Sequence, residues 1–315
     1  MTERQDTASD SRQNNGAAFT LHAPKLPPIP ILIAAPHGGR DYPPHVLENM
    51  REPVFSQLRL EDRLIDRIAS GVATQTGASL LIANAPRAML DLNRSKSDID
   101  WSMIRGAKRA EPAHSHANRR ARSGLGLIPR RLPNFGEIWR EKHTQSELDA
   151  RIDTIHRPYH GALAKEMERI RDHWGAVLLL DLHSMPPLKK HYGLDHIARF
   201  VIGDRFGASC DANLSSRALS FLDRQLSPGN HNRPYSGGYV LDQHGAPTRG
   251  MHAMQLEVCR SLYLDGALAQ LSGGAEPLIE MLAGMVRELA ASTARLGDTG
   301  SANRGEGGGF AQAAE

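Results

Sequence analysis

The chain contains little cysteine. Cys210 and Cys259 are the two cysteines among its 315 residues, and their spacing fits neither a disulfide framework nor a zinc finger. This usage is typical of a reducing compartment, so we expect a cytoplasmic protein. Both thiols are best interpreted as small buried apolar side chains.

Aromatic residues and long apolar segments are also scarce. Aromatic side chains make up 5% of the sequence, which argues against a stacking platform for nucleic-acid bases. No apolar run is long enough to span a bilayer, and residues 1–16 lack the apolar segment of a signal peptide. We therefore predict no nucleic-acid partner and no membrane association.

Neither sign of charge dominates the sequence. The 38 basic residues slightly exceed the 35 acidic ones, and the net charge is +3. This balance favours small anionic ligands over a DNA-binding surface. A hydrophobic fraction of 40% is sufficient for a sizeable core, although it leaves the oligomeric state open.

The composition divides the chain into a central body and two polar ends. Residues 1–24 and 297–315 are poor in large apolar side chains and are predicted to be disordered tails. Residues 25–296 are predicted to form a single domain. Within it, the basic, glycine-rich interval 95–143 is predicted to be a long loop, either a functional lid or a solvated segment.

Strand-like and helix-like patterns alternate through the body. Continuous apolar runs predict strands, and apolar residues at helical spacing predict helices. The strands are expected at 29–37, 78–84, 176–183, 198–204 and 252–259, and the helices at 60–75, 144–173, 211–225 and 274–295. Thr144 and Glu147 form a candidate capping box, and Pro158 should kink or divide its helix. The alternation predicts an α/β fold, a mostly parallel (mixed) sheet with helices on both faces.

Polar side chains stand at the ends of three predicted strands. His37 follows the first, Asp181 and His183 end the segment "LLLDLHSMPP", and Glu257 lies in the last. Ligands of open α/β sheets bind beyond the carboxyl ends of the strands. Two histidines with a carboxylate are a common set for zinc or another divalent metal, although a single strand-end histidine is more often structural.

The remaining members of this site have alternatives. The carboxylate ligand could be Glu61, Asp62 or Asp66 of "LEDRLID", but acids there also suit the first turn of a helix. Asp181 could orient a ligand or cap the strand end. Glu257 lies in a predicted central strand, where a carboxylate indicates a general base or a buried salt bridge.

Three further residues are candidates for binding a substrate carboxylate. Asn93 and Arg94 follow the second strand in "MLDLNRS", and an arginine can bind a carboxylate through two hydrogen bonds. Arg157, in "HRPYHGAL", is a second candidate cation. The alternatives are a structural loop for the first pair and a solvated helix charge for Arg157.

Nine motifs occur in an order that resembles the N-formylglutamate amidohydrolase family, over residues 29–270. They are "PHGGRDYPP", "LEDRLID", "MLDLNRS", "GLGLIPRR", "HRPYHGAL", "LLLDLHSMPP", "IGDRFGASCD", "NRPYSGGYV" and "GMHAMQLEVCRSLYLD". The resemblance implies a fold similar to that of zinc carboxypeptidases and aspartoacylases. It also implies hydrolysis of N-formyl-L-glutamate to formate and L-glutamate, late in histidine breakdown.

The resemblance also implies roles for individual residues. His37 and His183 would be metal ligands, Glu257 the catalytic glutamate, and Asn93 with Arg94 the pair that holds a substrate carboxylate. The acidic ligand falls best on Asp62. Arg40 stands where the carboxypeptidase relatives place a glutamate ligand, so the carboxylate has to come from another segment.

Two other functions fit part of the sequence. One is a metallopeptidase or amidase that acts on acidic or cell-wall peptides, which would require an open groove. The other is a nucleic-acid-binding protein that uses the basic segment 108–126 as an arm, with binding that weakens steeply as salt rises. The second leaves Glu257 and the two strand-end histidines unexplained.

Overall fold

The computed structural model of the chain describes residues 17–107, 121, 123–132, 135–189 and 197–306. A mixed sheet of seven strands lies at the centre of these residues, and two further strands form a small separate hairpin. The sheet strands are β1 (Phe19–His22), β2 (Ile31–Ala35), β3 (Ser79–Ala83), β6 (Val177–Met185), β7 (Phe200–Gly203), β8 (Gly229–His231) and β9 (Met251–Cys259), and the hairpin strands are β4 (Arg131–Leu132) and β5 (Gly136–Glu137).

The strand order of the central sheet is β1-β3-β2-β6-β9-β7-β8. The pairs β1–β3 and β7–β9 are antiparallel, and the other four neighbouring pairs are parallel. All five predicted strands are present, with ends shifted by at most two residues. The predicted α/β class with a mostly parallel sheet is therefore confirmed.

Helices pack on both faces of the sheet. They are α1 (Pro44–Asn49), α2 (Pro53–Leu60), α3 (Ile65–Thr76), α4 (Gln145–Arg151), α5 (Arg157–Trp174), α6 (Ala212–Arg224), α7 (Tyr239–His244) and α8 (Ala275–Glu306). One apolar cluster joins the sheet to α3, α6 and α8, and another joins the opposite face to α5. No helix within the described ranges is both long and apolar enough to cross a membrane.

The central strands are buried on both faces. In β2, Ile31 and Ile33 belong to one apolar cluster, while Leu32 and Ala34 belong to the other. Successive side chains of a strand point to opposite faces, so a strand covered by helices on both sides has to be apolar throughout. This explains why the strands appear in the sequence as continuous apolar runs.

The predicted tails differ from the structure at both ends of the body. Phe19–His22 forms the edge strand β1, antiparallel to β3, so the predicted N-terminal tail 1–24 is wrong over these residues. Two of the four residues of β1 are exposed, so the segment carries little apolar signal. The closing helix continues to Glu306, past the predicted boundary at 296. The rest of both tails, 1–16 and 307–315, lies outside the described residues.

Two helices differ from their predicted bounds. The helix expected at 60–75 is interrupted: α2 ends at Leu60, and α3 begins at Ile65 after Leu64, which has a positive φ of 57°. The helix expected at 144–173 begins with the predicted capping box of Thr144 and Glu147. It contains a π-helical segment, Ile152–His156, directly before the helix that carries Pro158, so the regular α-helical hydrogen bonding is interrupted ahead of this proline.

The interval 95–143 is more ordered than a solvated loop in the residues described. Leu127, Ile128, Ile138 and Trp139 are buried in the apolar cluster on the α5 face. Leu125 lines the cavity described below. Most of the basic arm proposed for nucleic-acid binding lies outside the described residues.

Candidate active site

Three side chains from separate segments meet beyond the carboxyl ends of the central strands. His37 follows β2, Asp62 follows α2, and His183 lies on β6; at most 3% of each is exposed. One ligand atom from each lies within 4.8 Å of the other two. The backbone N–H of Asp62 also donates to the carbonyl of His37 at 3.0 Å, which holds the Asp62 loop against the strand end.

Both imidazole rings are held at their far side by a second carboxylate. Nδ1 of His37 and Nδ1 of His183 lie 3.4 and 3.0 Å from Oδ2 of Asp62. On the opposite side of the rings, Nε2 of His37 lies 2.8 Å from Asp91, and Nε2 of His183 lies 2.8 Å from Asp181. Outer carboxylates of this kind fix the orientation of histidines that bind metals.

The charges of these groups depend on one another. Burial raises the pKa of Asp62, but its interactions with His183 and His37 outweigh it and lower that pKa below its usual value. Burial likewise lowers the pKa of His183, but Asp181 and Asp62 raise it well above the ordinary value. The negative charge of Asp62, held between the two imidazoles, thus favours a positive charge at the centre of the cluster.

The three inner ligand atoms fit a divalent cation. Nδ1 of His37 is buried and makes no hydrogen bond in the structure, although it points toward Asp62. Two imidazole nitrogens and one carboxylate are a donor set that zinc and similar cations accept, with one coordination position left open. Of the three acids considered for the carboxylate position, Asp62 is the one that the structure brings to both histidines.

Glu257 lies beside this cluster on β9. It is paired in register with His183 of the parallel neighbour β6, and 7% of it is exposed. Gln255, two residues earlier on the same face, donates to its Oε1 at 2.8 Å. Burial raises the pKa of Glu257 to about 7. This effect outweighs the charge of His183, which acts to lower the same pKa. A carboxyl group with such a pKa can accept and return a proton at neutral pH.

Asn93 and Arg94 line the same cavity and are almost buried, at 6% and 7% exposed. Asn93 accepts from the N–H of Val240 at 3.0 Å and donates to Gln255 at 3.3 Å. Arg94 donates to the carbonyls of Asn93 and Leu125. Asn93 therefore supports Gln255, and through it Glu257, as well as facing the cavity.

Arg157, predicted to bind a substrate carboxylate, lies outside the cavity. Its side chain is 61% exposed and forms an ion pair with Asp153, four residues earlier in the same helical stretch. It does not line the cavity that His37 and His183 share. The alternative interpretation, a solvated helix charge, matches this position.

The two other acids of "LEDRLID" also form separate ion pairs. Glu61 lies 2.7 Å from Arg63, and Asp66 binds Arg40 through two hydrogen bonds of 2.6 and 2.8 Å. Arg40, three residues after His37, thus binds an acid of α3.

Sequence reasoning missed three arginines of the cavity, Arg59, Arg87 and Arg260. Arg87 pairs with Asp91, with nitrogen–oxygen distances of 2.9 and 3.0 Å. Burial raises the pKa of Asp91, but Arg87 and Arg94 outweigh it, and the pKa falls well below its usual value. Arg260 follows β9 directly and donates to Ser184. Arg260 stands at the end of a predicted strand, as His37 and His183 do, so the same sequence pattern could have identified it.

The cavity around these groups has a volume of about 340 Å³. The candidate ligands and Glu257 share it with Arg59, Arg87, Arg94 and Arg260. Its size suits a small molecule, and its four arginines favour an anionic one.

The mixed sheet and the buried cluster at its strand ends are those of a hydrolase with a small-molecule cavity. A family model described as N-formylglutamate amidohydrolase matches residues 29–264. The chain belongs to this family, and the family resemblance of its motifs is confirmed.

Relatives support this assignment in sequence and in structure. The N-formylglutamate deformylases of Pseudomonas putida and Pseudomonas aeruginosa are each 30% identical over 241 residues, which is 75% of this chain and 82% and 83% of theirs. The crystal structure of the N-formylglutamate amidohydrolase from Ralstonia eutropha matches with a TM-score of 0.74 and 29% identity, covering 91% of this chain and 99% of that one. A gene product of Agrobacterium tumefaciens shares the fold, with a TM-score of 0.57, 18% identity, and coverage of 88% and 95%.

Proposed function

We propose that this chain hydrolyses N-formyl-L-glutamate to formate and L-glutamate with the help of a divalent cation, zinc being the first candidate. The observation that carries the proposal is the convergence of His37, Asp62 and His183 within 4.8 Å. The names of the relatives supply the substrate. The proposed setting is a late step of histidine breakdown in the cytoplasm.

His37, Asp62 and His183 would hold the cation in this proposal. A cation held there supplies Lewis acidity, which activates water and polarises the amide carbonyl. Asp91 and Asp181, through their contacts with Nε2 of His37 and His183, would keep the two imidazoles in the orientation needed to hold a cation. Loss of either outer contact would let a ring rotate away.

Glu257 is the proposed general base. It takes a proton from the attacking water and passes it to the leaving amine nitrogen. The second proton of the water then moves from the new formic acid group to the amine, so that formate and the ammonium form of L-glutamate result. Gln255 holds one oxygen of this carboxylate in place. The arginines that line the cavity stabilise the negative charge that develops on the amide oxygen.

Arg94, with its neighbour Asn93, is the proposed binding site for the carboxylate next to the scissile amide. Both residues line the cavity, and both are buried, which strengthens the attraction of the guanidinium for an anion. The side chain of Asn93 is fixed by Val240 and Gln255, so it would hold its place when substrate enters.

The test is formate release from N-formyl-L-glutamate by the purified protein, together with its metal content. We expect release that a chelator abolishes and added zinc restores, with one cation per chain. The variant Glu257→Gln should keep the cation and lose turnover by a factor of about 100 or more. Absence of formate from a cation-loaded protein would overturn the proposed substrate, and unchanged turnover of Glu257→Gln would overturn the assigned base.

A further inference from the structure

The end of α2 is fixed beside the candidate metal site by Arg260. This guanidinium donates to the carbonyls of Leu58 and Glu61 at 3.4 and 2.9 Å. The last carbonyls of a helix have no donor within the helix. A buried arginine at that position can donate hydrogen bonds to them. These two hydrogen bonds, which we call the clamp on α2, hold Asp62 beside the histidines. They also fix the position of Arg59, three residues before Asp62.

Arg59 extends from this last turn to the mouth of the cavity. Its side chain lines the cavity and is exposed, unlike the ligands at the base. The guanidinium carbon lies 5.1 Å from the ring centroid of Phe55, one helical turn earlier. Phe55 in turn stacks on Phe135, with ring centroids 4.2 Å apart. Stacking on a ring face holds a guanidinium in place and leaves the N–H groups at its edge available.

The other three arginines of the cavity have protein acceptors. Arg87 binds Asp91, Arg94 donates to two carbonyls, and Arg260 donates to Ser184 and the end of α2. Within the part of the chain that the structure describes, Arg59 makes no hydrogen bond or ion pair. It is therefore a pre-positioned cation whose donors are not used by the fold.

The chemistry of the substrate assigns a partner to this cation. An N-acyl glutamate carries one carboxylate on the carbon bonded to the amide nitrogen and a second one beyond two methylene groups. When the amide reaches the buried cluster, the first carboxylate lies deep in the cavity, and the second extends toward its mouth. We infer that Arg59 binds the side-chain carboxylate of the acyl amino acid and thereby selects glutamate over neutral residues of the same size. This inference rests on the proposed function.

The experiment compares N-formyl-L-glutamate with N-formyl-L-glutamine, its neutral isostere, in wild type, Arg59→Met and Arg59→Lys. We expect Arg59→Met to lower kcat/KM for the glutamate substrate by about 10- to 100-fold, mainly through KM, because a charged hydrogen bond is lost. The glutamine substrate should be unaffected, and Arg59→Lys should restore part of the preference. Arg217→Met, at an exposed arginine on α6, is the matched control and should leave the ratio unchanged.

A second measurement separates this inference from the proposed function. Calorimetry gives the affinity of each variant for the amino acids L-glutamate and L-glutamine, without any turnover. A preference for glutamate that Arg59→Met abolishes would support the inference even in a protein that releases no formate. An unchanged preference in Arg59→Met, in either measurement, would overturn the inference and leave the proposed reaction standing where wild type releases formate.

Discussion

His183 and Asp181 lie on the same face of one strand, and Nε2 of the imidazole is 2.8 Å from Oδ2 of the carboxylate. Asp181 is fully buried. Two residues that are two apart on a strand share a face, so β6 itself supplies both the candidate ligand and the group that orients it. The other nitrogen of His183 is left to face Asp62 at 3.0 Å.

This relationship predicts a loss of metal affinity when the charge of Asp181 is removed. Asp181→Asn keeps the size of the side chain but weakens the hydrogen bond that orients His183. We expect the affinity for zinc to fall by about 10- to 100-fold, as for other groups that orient metal ligands. Competition against a chromophoric chelator measures it. Asp223→Asn, at an exposed position on α6, is the control; equal affinities in the two variants would contradict the role of Asp181.

Arg260 provides a prediction about stability. Arg260→Met retains the apolar stem and removes the donors to the carbonyls of Leu58 and Glu61, which then lie without a partner. We expect the free energy of unfolding to fall by about 3 kcal/mol, because charged hydrogen bonds in a buried site are lost. Denaturant unfolding measures this change.

Arg67→Met serves as the reference for Arg260→Met. The side chain of Arg67 is 68% exposed and lies 3.7 Å from Asp66, so its loss should change the free energy of unfolding by less than about 0.5 kcal/mol. A similarly small change in Arg260→Met would show that the clamp on α2 does not contribute to stability.

The strand-end residues that the structure brings together in the candidate site can be predicted from the sequence, and most of the other residues around them cannot. His37, His183 and Glu257 could be identified because apolar strands that end in ionisable groups are unusual, and because parallel strands deliver their ends to one edge of the sheet. Asp62 required a resemblance, since acids near a helix are common. The contact from Arg260 to the carbonyl of Glu61, which holds Asp62 in place, joins residues 199 positions apart. No local sequence pattern predicts such a partner.

The predictions that differ from the structure also have physical explanations. Arg157 was a plausible anion-binding residue by type, but its ion pair with Asp153 depends on which face of the helical stretch it occupies. The strand β1 was missed because four residues with two exposed side chains leave no detectable alternation. In both cases tertiary packing, which one sequence does not display, determined the outcome.

Buried histidines predict a loss of stability in mild acid. Burial lowers the pKa of His160 to about 2 and those of His143 and His244 to about 4. In the unfolded chain these histidines take up a proton near pH 6.5, whereas in the folded chain they stay neutral to a lower pH. Their contribution to the free energy of unfolding is therefore complete above pH 6.5 and decreases as the pH falls below it. Each proton bound only by the unfolded chain contributes a slope of about 1.4 kcal/mol per pH unit. His183 acts in the opposite sense, because its pKa is raised.

His160→Gln tests the origin of this slope. The imidazole of His160 lies 3.0 Å from the carbonyl of Leu92 and 3.0 Å from Nε2 of His244, and a glutamine amide can donate to the same carbonyl. We expect the free energy of unfolding to depend less steeply on pH between 6.5 and 5 in the variant. Chemical unfolding at a series of pH values measures it, and an unchanged slope would assign the acid sensitivity to other groups.

The glycine pair after His37 predicts opposite effects for two glycine-to-alanine substitutions. A Cβ at Gly39 would lie 2.2 Å from the carbonyl oxygen of Ala85, where backbone has to move. We expect Gly39→Ala to lower the free energy of unfolding by about 3 kcal/mol and to weaken metal binding, since the displaced turn carries His37. Gly161, inside α5, has nothing within 4 Å of the same atom, and Gly161→Ala should raise stability by about 0.5–1 kcal/mol. Denaturant unfolding compares the two, and a Gly39→Ala protein as stable as wild type would show that the turn can relax away from Ala85.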